Sequence, residues 1–288
     1  MAGSDFIKLG LLGKSLSHSL SPCIHRAFLQ ECGLEGDYEL VEVASLDFAV
    51  SELRRRGFAG VNVTIPYKTA ILDWLSQLSP EANLALAVNT ISFSGENATG
   101  FNTDIYGFKQ ALKGSFITTD KAPEAIVLGA GGAARAALIA LSEEFSRISV
   151  VCRDVAKGES MIQSMIDKIP MLSTSRVIEP DKIQENAALL KGAVLVVNAT
   201  PLGQKDEELP PWLPDLLKSL KDSTVFDLVY ARGNAPTPLC RLAYGLGKRQ
   251  MDGTGMLIEQ ARAAFQIWTG VEPPRECGLK ALRAALAR

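Results

Sequence analysis

Short apolar runs bounded by turn residues alternate with stretches whose apolar residues recur at helical spacing, and the alternation holds over most of the chain. In the first half the pattern predicts strands over 8–12, 38–43 and 61–63, with helices over 21–32 and 46–56. The helix at 21–32 carries the clearest punctuation. Ser21 can cap it, Pro22 suits its first position and Gly33 can end it. Ile24, Ala27, Phe28 and Cys32 then fall on one face. Residues 88–93 and 98–101, separated by Ser94-Gly95-Glu96-Asn97, read as a hairpin. A second βαβ series starts at Ala125, with strands over 125–128, 149–152, 194–198 and 225–228 and a helix over 131–141. Residues 256–268 are amphipathic, with Leu257, Ala261, Ala264, Phe265 and Trp268 on one stripe. This order of elements predicts an α/β fold with mainly parallel sheets. The domain change is expected near residues 105–120 from pattern alone, because no repeat, charge block or low-complexity linker marks it.

Composition narrows the function classes. The 288 residues are 47% apolar and 22% charged, enough for one or two ordinary cores. The net charge is -2 and Lys and Arg are scattered, which argues against a nucleic-acid partner. The five cysteines show no CxxC spacing and read as reduced thiols, which predicts a cytoplasmic setting. The opening residues lack a basic region followed by an apolar stretch, so no secretory leader is expected. The longest apolar candidate, 125–141, is glycine-rich and carries Arg135, so no membrane span is expected. With His18 and His25 as the only histidines and no Cys/His cluster, no metal site is expected either.

The residues Gly129-Ala130-Gly131-Gly132-Ala133-Ala134 follow a predicted strand and open a predicted helix. They fit G-x-G-x-x-A. Gly129 permits the tight turn, Gly131 lets a pyrophosphate approach the backbone, small Ala134 allows close helix-to-strand packing, and the helix N-terminus attracts phosphate. The end of the next strand selects the nucleotide: an acid there suits a ribose 2′-hydroxyl, a cation suits a 2′-phosphate. Arg153 occupies that place with Lys157 one helical turn on, which predicts NADP and leaves NAD possible. Asp154 has two readings, repulsion of a 2′-phosphate or capping of the following helix.

Polar residues also collect where a core would not want them. The stretch from Gly13 to Pro22 puts Ser15, Ser17, Ser19 and Ser21 before a helix N-terminus, a natural cradle for a carboxylate. Asn62 and Thr64 alternate at a strand end, and Lys68 follows Pro66 in a turn at that strand terminus, where α/β ligand crevices lie. Asn89, and then Asn102-Thr103-Asp104, bring amides and a carboxylate to the ends of the hairpin strands.

Seven strings in order, H-S-x-S-P (18–22), N-V-T-I-P-Y-K (62–68), A-V-N-T (87–90), N-T-D (102–104), G-A-G-G-A (129–133), N-A-T-P (198–201) and D-G-x-G-M-L-x-x-Q-A (252–261), resemble the shikimate dehydrogenase family over residues 8–270. The resemblance implies two α/β domains with the active site in the cleft between them. Residues 1–104 completed by 254–288 would form the substrate-binding and catalytic domain, and 105–253 a Rossmann dinucleotide-binding domain. It implies reversible NADP-dependent reduction of 3-dehydroshikimate to shikimate, in aromatic amino acid (chorismate) biosynthesis. Carried over, Lys68 and Asp104 form the catalytic pair, Ser19 and Ser21 hold the substrate carboxylate with Tyr230 nearby, and Asn62, Thr64, Asn89, Asp104 and Gln260 hold ring hydroxyls. Gly129, Ala130, Gly131, Gly132, Ala133, Arg153, Lys157, Thr200 and Gly253 bind the cofactor. The expected partner is a small molecule, with no nucleic acid, membrane or metal, and the chain a monomer or homodimer. The chain departs from the family's frequent Asn-Arg-Thr at 152–154, which here is Cys-Arg-Asp, and from its frequent methionine at 204, which here is Gln. The alternatives are a quinate/shikimate dehydrogenase that also uses NAD, and a non-catalytic NADP(H) sensor.

Overall fold

A computed structural model describes residues 6–113, 123–204, 208–230 and 235–287. The expected domain change at 105–120 therefore lies in part outside the described residues, as do residues 1–5. The chain divides into two units, Met1–Gly107 with Leu257–Arg288, and Phe108–Met256.

The first unit contains β1 (Ile7–Gly13), α1 (Ser21–Glu31), β2 (Gly36–Glu42), α2 (Ala49–Arg55), β3 (Phe58–Val63), α3 (Tyr67–Ala70), β4 (Gln77–Leu78), α4 (Pro80–Ala85), β5 (Thr90–Ser94), β6 (Asn97–Phe101) and the start of α5 (Thr103–Lys113). Its sheet runs β2-β1-β3-β5-β6-β4. β1 is parallel to β2 and β3, β5 is antiparallel to both neighbours, and β4 is parallel to β6. Side chains of β1 alternate between two cores. Leu9 and Leu11 join Ile24, Phe28, Tyr38, Phe265 and Leu282, whereas Leu12 joins Leu53, Val61, Val63, Ile71 and Ile91. Trp268 packs against Gly60 and donates from Nε1 to the Ile91 carbonyl at 2.9 Å, and a β-carbon at Gly60 would overlap the indole.

Three local expectations need correction. Leu20, not Ser21, is the N-cap of α1, and no side chain caps it. The Ser19 hydroxyl supports the entrance instead, accepting from Ser21 N at 3.3 Å. α2 starts three residues later than expected, because Ser45 Oγ accepts from Asp47 N and Phe48 takes φ 62 before the helix begins. The hairpin turn is two residues, Gly95-Glu96, since Ser94 still pairs with Asn97 and Gly95 adopts φ 56. The stop of α1 matches its reading: Gly33 takes φ 64 and Leu34 N reaches back to Leu29 O at 2.9 Å.

The second unit carries the rest of α5, then β7 (Glu124–Leu128), α6 (Gly132–Leu141), β8 (Arg147–Val151), α7 (Val155–Ile166), β9 (Arg176–Ile178), α8 (Ala187–Leu190), β10 (Ala193–Asn198), α9 (Trp212–Ser219), β11 (Thr224–Asp227), α10 (Pro238–Gly245), β12 (Arg249–Met251) and the first turn of α11 (Thr254–Thr269). The remainder of α11 and α12 (Arg275–Leu286) belong to the first unit. All six strands are parallel, in the order β9-β8-β7-β10-β11-β12. Numbered from β7, that is the 3-2-1-4-5-6 arrangement of a Rossmann sheet, with the order reversing between β7 and β10. Ala134, Ala136 and Ala137 of α6 are fully buried, as close packing of that helix requires.

Candidate active site

Lys68 and Asp104 meet in the first unit. Lys68 sits on α3, a single helical turn after β3, and its carbonyl accepts from Val88 N at 2.7 Å. Asp104 occupies the first turn of α5. Asn102 anchors that turn, donating from Nδ2 to the Ala87 carbonyl at 2.9 Å and accepting from Ile105 N at 3.4 Å. Lys68 Nζ then lies 2.6 Å from Asp104 Oδ2, with the two side chains 19% and 8% exposed. So little water reaches the pair that removing one partner would leave a poorly solvated charge.

Asn89 organises the surroundings of the pair. Its Nδ2 donates to Asp104 Oδ1 and Thr103 Oγ1, each at 2.9 Å, and reaches Gln260 Oε1 at 3.4 Å. Its Oδ1 accepts from Thr103 N at 2.7 Å. Gln260 donates in turn to the Leu257 carbonyl at 2.8 Å. Asn62 is 6% exposed, accepts from the Tyr38 hydroxyl at 2.7 Å, and donates to the Asn89 carbonyl at 3.2 Å and Thr90 Oγ1 at 3.0 Å. Half-buried Thr64 lies against Gly13, where a β-carbon would press on its methyl group. Ser19 and Ser21 are half-buried at the entrance of α1.

His25 is fully buried and stacked on Tyr38, with ring centroids 4.4 Å apart and planes 1° from parallel. Burial pushes its pKa down to about 3, so the imidazole is neutral at physiological pH. Burial raises the Tyr38 phenol well above its ordinary value. Neither group competes with Lys68 and Asp104 as a proton carrier near neutrality.

In the second unit, Gly129 takes φ 109 and donates from its N–H to the Val151 carbonyl at 2.8 Å. A β-carbon there would lie 2.9 Å from Thr200 Cγ2, so only glycine lets the β7–α6 loop pass the β10 loop. Thr200 is held by Asn198, whose Oδ1 accepts from Thr200 Oγ1 at 2.6 Å and from its N at 3.1 Å. Asp227 holds Asn198 in turn. It accepts from Asn198 Nδ2 at 2.8 Å, Val229 N at 3.1 Å and Thr237 Oγ1 at 2.6 Å. Burial nevertheless raises its carboxyl to about 6. Gly253 donates to the Val229 carbonyl at 3.0 Å, with no room for a β-carbon against the Leu228 carbonyl. Half-buried Tyr230 follows directly.

These residues fit a dinucleotide. A β-carbon at exposed Gly131 would meet nothing within 4 Å, so the backbone before α6 is open to a phosphate. Ala130, Gly132 and Ala133 are half-buried beside it. Arg153 and Lys157 are exposed just beyond β8. Asp154 is the N-cap of α7, its carboxylate accepting from Lys157 N at 2.9 Å. The capping role is thus present in the structure.

Direct hydrogen bonds thus join Lys68, Asp104, Asn89, Gln260 and Asn62, with Tyr38 attached through Asn62, while Ser21 bonds Ser19 at the entrance of α1. Thr200 and Gly129 adjoin in the second unit, which also holds Tyr230 and Gly253. Sequence reasoning missed Tyr38, Thr90, Asn198 and Asp227. Thr90 and Asn198 stood inside quoted strings, but Tyr38 carried no signal beyond an inward position on a strand.

Two family models match the chain: the shikimate dehydrogenase substrate binding domain over residues 11–91 and the shikimate 5′-dehydrogenase C-terminal domain over residues 253–283. The NADP(+) shikimate dehydrogenase of Methanopyrus kandleri is 36% identical over 283 residues, covering 96% of each chain. That of Archaeoglobus fulgidus is 39% identical over 285 residues, covering 96% of this chain and 98% of the relative. The crystal structure of shikimate 5-dehydrogenase from Thermus thermophilus, in complex with NADP(H) and shikimate, superposes with a TM-score of 0.82 at 35% identity, covering 97% of this chain and all of that one.

Proposed function

The chain belongs to the shikimate dehydrogenase family, and from that membership we propose that it catalyses the reversible, NADP-dependent reduction of 3-dehydroshikimate to shikimate. The first unit is read as the substrate-binding and catalytic domain and the second as the dinucleotide-binding domain. The contact between Lys68 and Asp104, braced by Asn89, carries the reading. A nucleotide sensor has no use for a nearly dry ammonium–carboxylate pair beside a row of amides.

Gly129–Ala133, Thr200, Gly253, Arg153 and Lys157 would hold NADPH, which would supply the hydride for the ketone carbon. Charge then builds on the ketone oxygen, and a cation or acid placed there lowers the barrier. Lys68 supplies that cation and delivers the proton that completes the alcohol. Asp104 keeps the ammonium aimed and orients the neighbouring ring hydroxyl, while Asn89 holds the carboxylate still. In the oxidative direction Lys68 takes the proton back as hydride leaves the carbinol carbon. Ser19 and Ser21 present hydroxyls to the substrate carboxylate. Thr64, Asn62 and Gln260 complete the polar wall for ring hydroxyls. Arg153 and Lys157 suit a 2′-phosphate because both side chains are free to face solvent while Asp154 is occupied by its cap.

No described helix is long and apolar enough to cross a membrane. A cytoplasmic setting is supported by the five free cysteines.

Initial rates with shikimate and quinate, each with NADP⁺ and NAD⁺, test the proposal. Turnover of shikimate with NADP⁺ is expected to exceed the other three combinations. Absence of turnover in all four, with protein that binds NADP(H), would refute it.

A further inference from the structure

The polar groups between Tyr38 and Asp104 form a chain whose direction is settled by backbone atoms. An amide's oxygen and nitrogen are assigned from their partners, and here each amide has one unambiguous partner. Asn62 Nδ2 faces the Asn89 carbonyl, which only accepts, so Asn62 Oδ1 is the end that receives the Tyr38 hydroxyl. Asn89 Oδ1 faces Thr103 N, which only donates, so Asn89 Nδ2 is the end that reaches Asp104. Between the two amides stands Thr90. Its oxygen accepts from Asn62 Nδ2 at 3.0 Å and donates to Asn89 Oδ1 at 3.2 Å, with Thr103 Oγ1 at 3.3 Å on its flank. Hydrogen bonds therefore run one way, Tyr38 to Asn62 to Thr90 to Asn89 to Asp104, and end on the carboxylate that Lys68 grips from its other oxygen.

We infer that Thr90 is a positioning residue for the reaction, the junction through which the Tyr38–Asn62 hydrogen bond is tied to the orientation of the Lys68–Asp104 pair. Thr90 is fully buried and touches none of the reacting groups, so it acts only through Asn62 and Asn89. The position demands a hydroxyl, since its neighbours need an acceptor on one side and a donor on the other. Valine has the same shape and offers neither. Without the hydroxyl, Asn62 Nδ2 keeps only its longer bond to the Asn89 carbonyl, and Asn89 loses a lateral restraint on the amide that aims Asp104. Bonds made in sequence polarise and align one another, so the loss is felt beyond the nearest partner.

The inference rests on the shikimate dehydrogenase reading, and two measurements separate the fate of each. In steady state with shikimate and NADP⁺, Thr90→Val is expected to lower kcat roughly 10- to 100-fold through misplacement of the pair. The dissociation constant for NADP⁺ should stay within about twofold, because the cofactor residues belong to the other unit. Thr90→Ser, which restores the hydroxyl, should return kcat to within about threefold of the native chain. A native kcat in Thr90→Val overturns the inference, and so does equal impairment of the valine and serine variants, which would mark a packing effect. Independently of turnover, hydrogen exchange of the Asn62 and Asn89 side-chain amides, followed by NMR, should be slow in the native chain and in Thr90→Ser and faster in Thr90→Val. Unchanged exchange overturns the inference even if the enzyme is active. Faster exchange in a chain that never oxidises shikimate would sink only the activity. Should valine prevent folding, Tyr38→Phe cuts the same chain at its head by removing one oxygen, and a native kcat there overturns the inference.

Discussion

Asn89 holds Asp104 by one oxygen and leaves the other to Lys68: Nδ2 donates to Oδ1 at 2.9 Å, while the ammonium lies 2.6 Å from Oδ2. The carboxylate is thereby fixed in rotation as well as position, and the lysine is aimed by a group that cannot turn away. Lys68→Met keeps the aliphatic stem and deletes the charge. Turnover of shikimate is expected to fall about 10²- to 10⁴-fold, the usual worth of acid–base help. NADP(H) binding, followed by quenching of protein fluorescence, should survive. A kcat within tenfold of the native chain would show that the pair is structural.

Nucleotide preference should follow Arg153 and ignore Asp154. Losing a charge-assisted contact to the 2′-phosphate costs about 1.5–3 kcal/mol, so Arg153→Ala should raise KM for NADP⁺ by roughly 10- to 100-fold and leave KM for NAD⁺ unchanged. Asp154→Asn keeps a capping oxygen for Lys157 N and should change neither value. If that variant instead gains affinity for NADP⁺, the carboxylate repels the phosphate despite its cap.

Asp227 makes stability depend on pH. Burial raises its carboxyl from the ordinary 3.8 to about 6, so between those values the folded chain keeps a proton the unfolded chain has released. Stability contributed by this group falls as pH rises from about 4 to 6 and is level above. Asp227→Asn fits the site, because its oxygen can keep Asn198 and Val229 and its nitrogen can donate to Thr237. Urea unfolding at pH 4, 5, 6 and 7 should show the variant gaining up to about 3 kcal/mol on the native chain across that window. A constant difference at all four values would show that Asp227 titrates normally.

Gly60→Ala should destabilise the first unit by about 1–3 kcal/mol, because its methyl group would overlap the Trp268 indole and the Ile91 carbonyl behind it. Thermal denaturation followed by tryptophan fluorescence reads this directly. Adding Trp268→Leu should recover part of the loss, since the smaller side chain yields the space while giving up the Nε1 bond.

The alternation of short apolar runs with helical stripes was enough to place β1, β3, β7, β8, β10 and β11 and helices α1, α6 and α11. These elements bury continuous apolar surface, and local periodicity reports burial well. Short edge strands such as β9 and β12 escaped, because three half-exposed residues carry no period. The G-x-G-x-x-A loop was legible for a similar reason: Gly129 must adopt a positive φ and Ala134 must lie against a strand, and both are constraints on single positions.

Chemistry at the site divided along the same line. Residue type and order along the chain already named Lys68, Asn89 and Asp104 as candidates, and Arg153 as the nucleotide-facing cation, while Gln260 came only from the family resemblance. Sequence left Asp154 open between two roles and assigned Ser21 a cap that Leu20 occupies without one. It was silent on Tyr38 and on the hydroxyl of Thr90 as a junction. Those facts depend on which donor faces which acceptor across strands 24 to 28 residues apart in the chain, as Tyr38 faces Asn62 and Asn62 faces Thr90. Burial and periodicity are properties of one segment read along itself. A hydrogen-bond partner belongs to two segments at once, and only the sheet order that sets β2 across β1 from β3, and β3 beside β5, decides it.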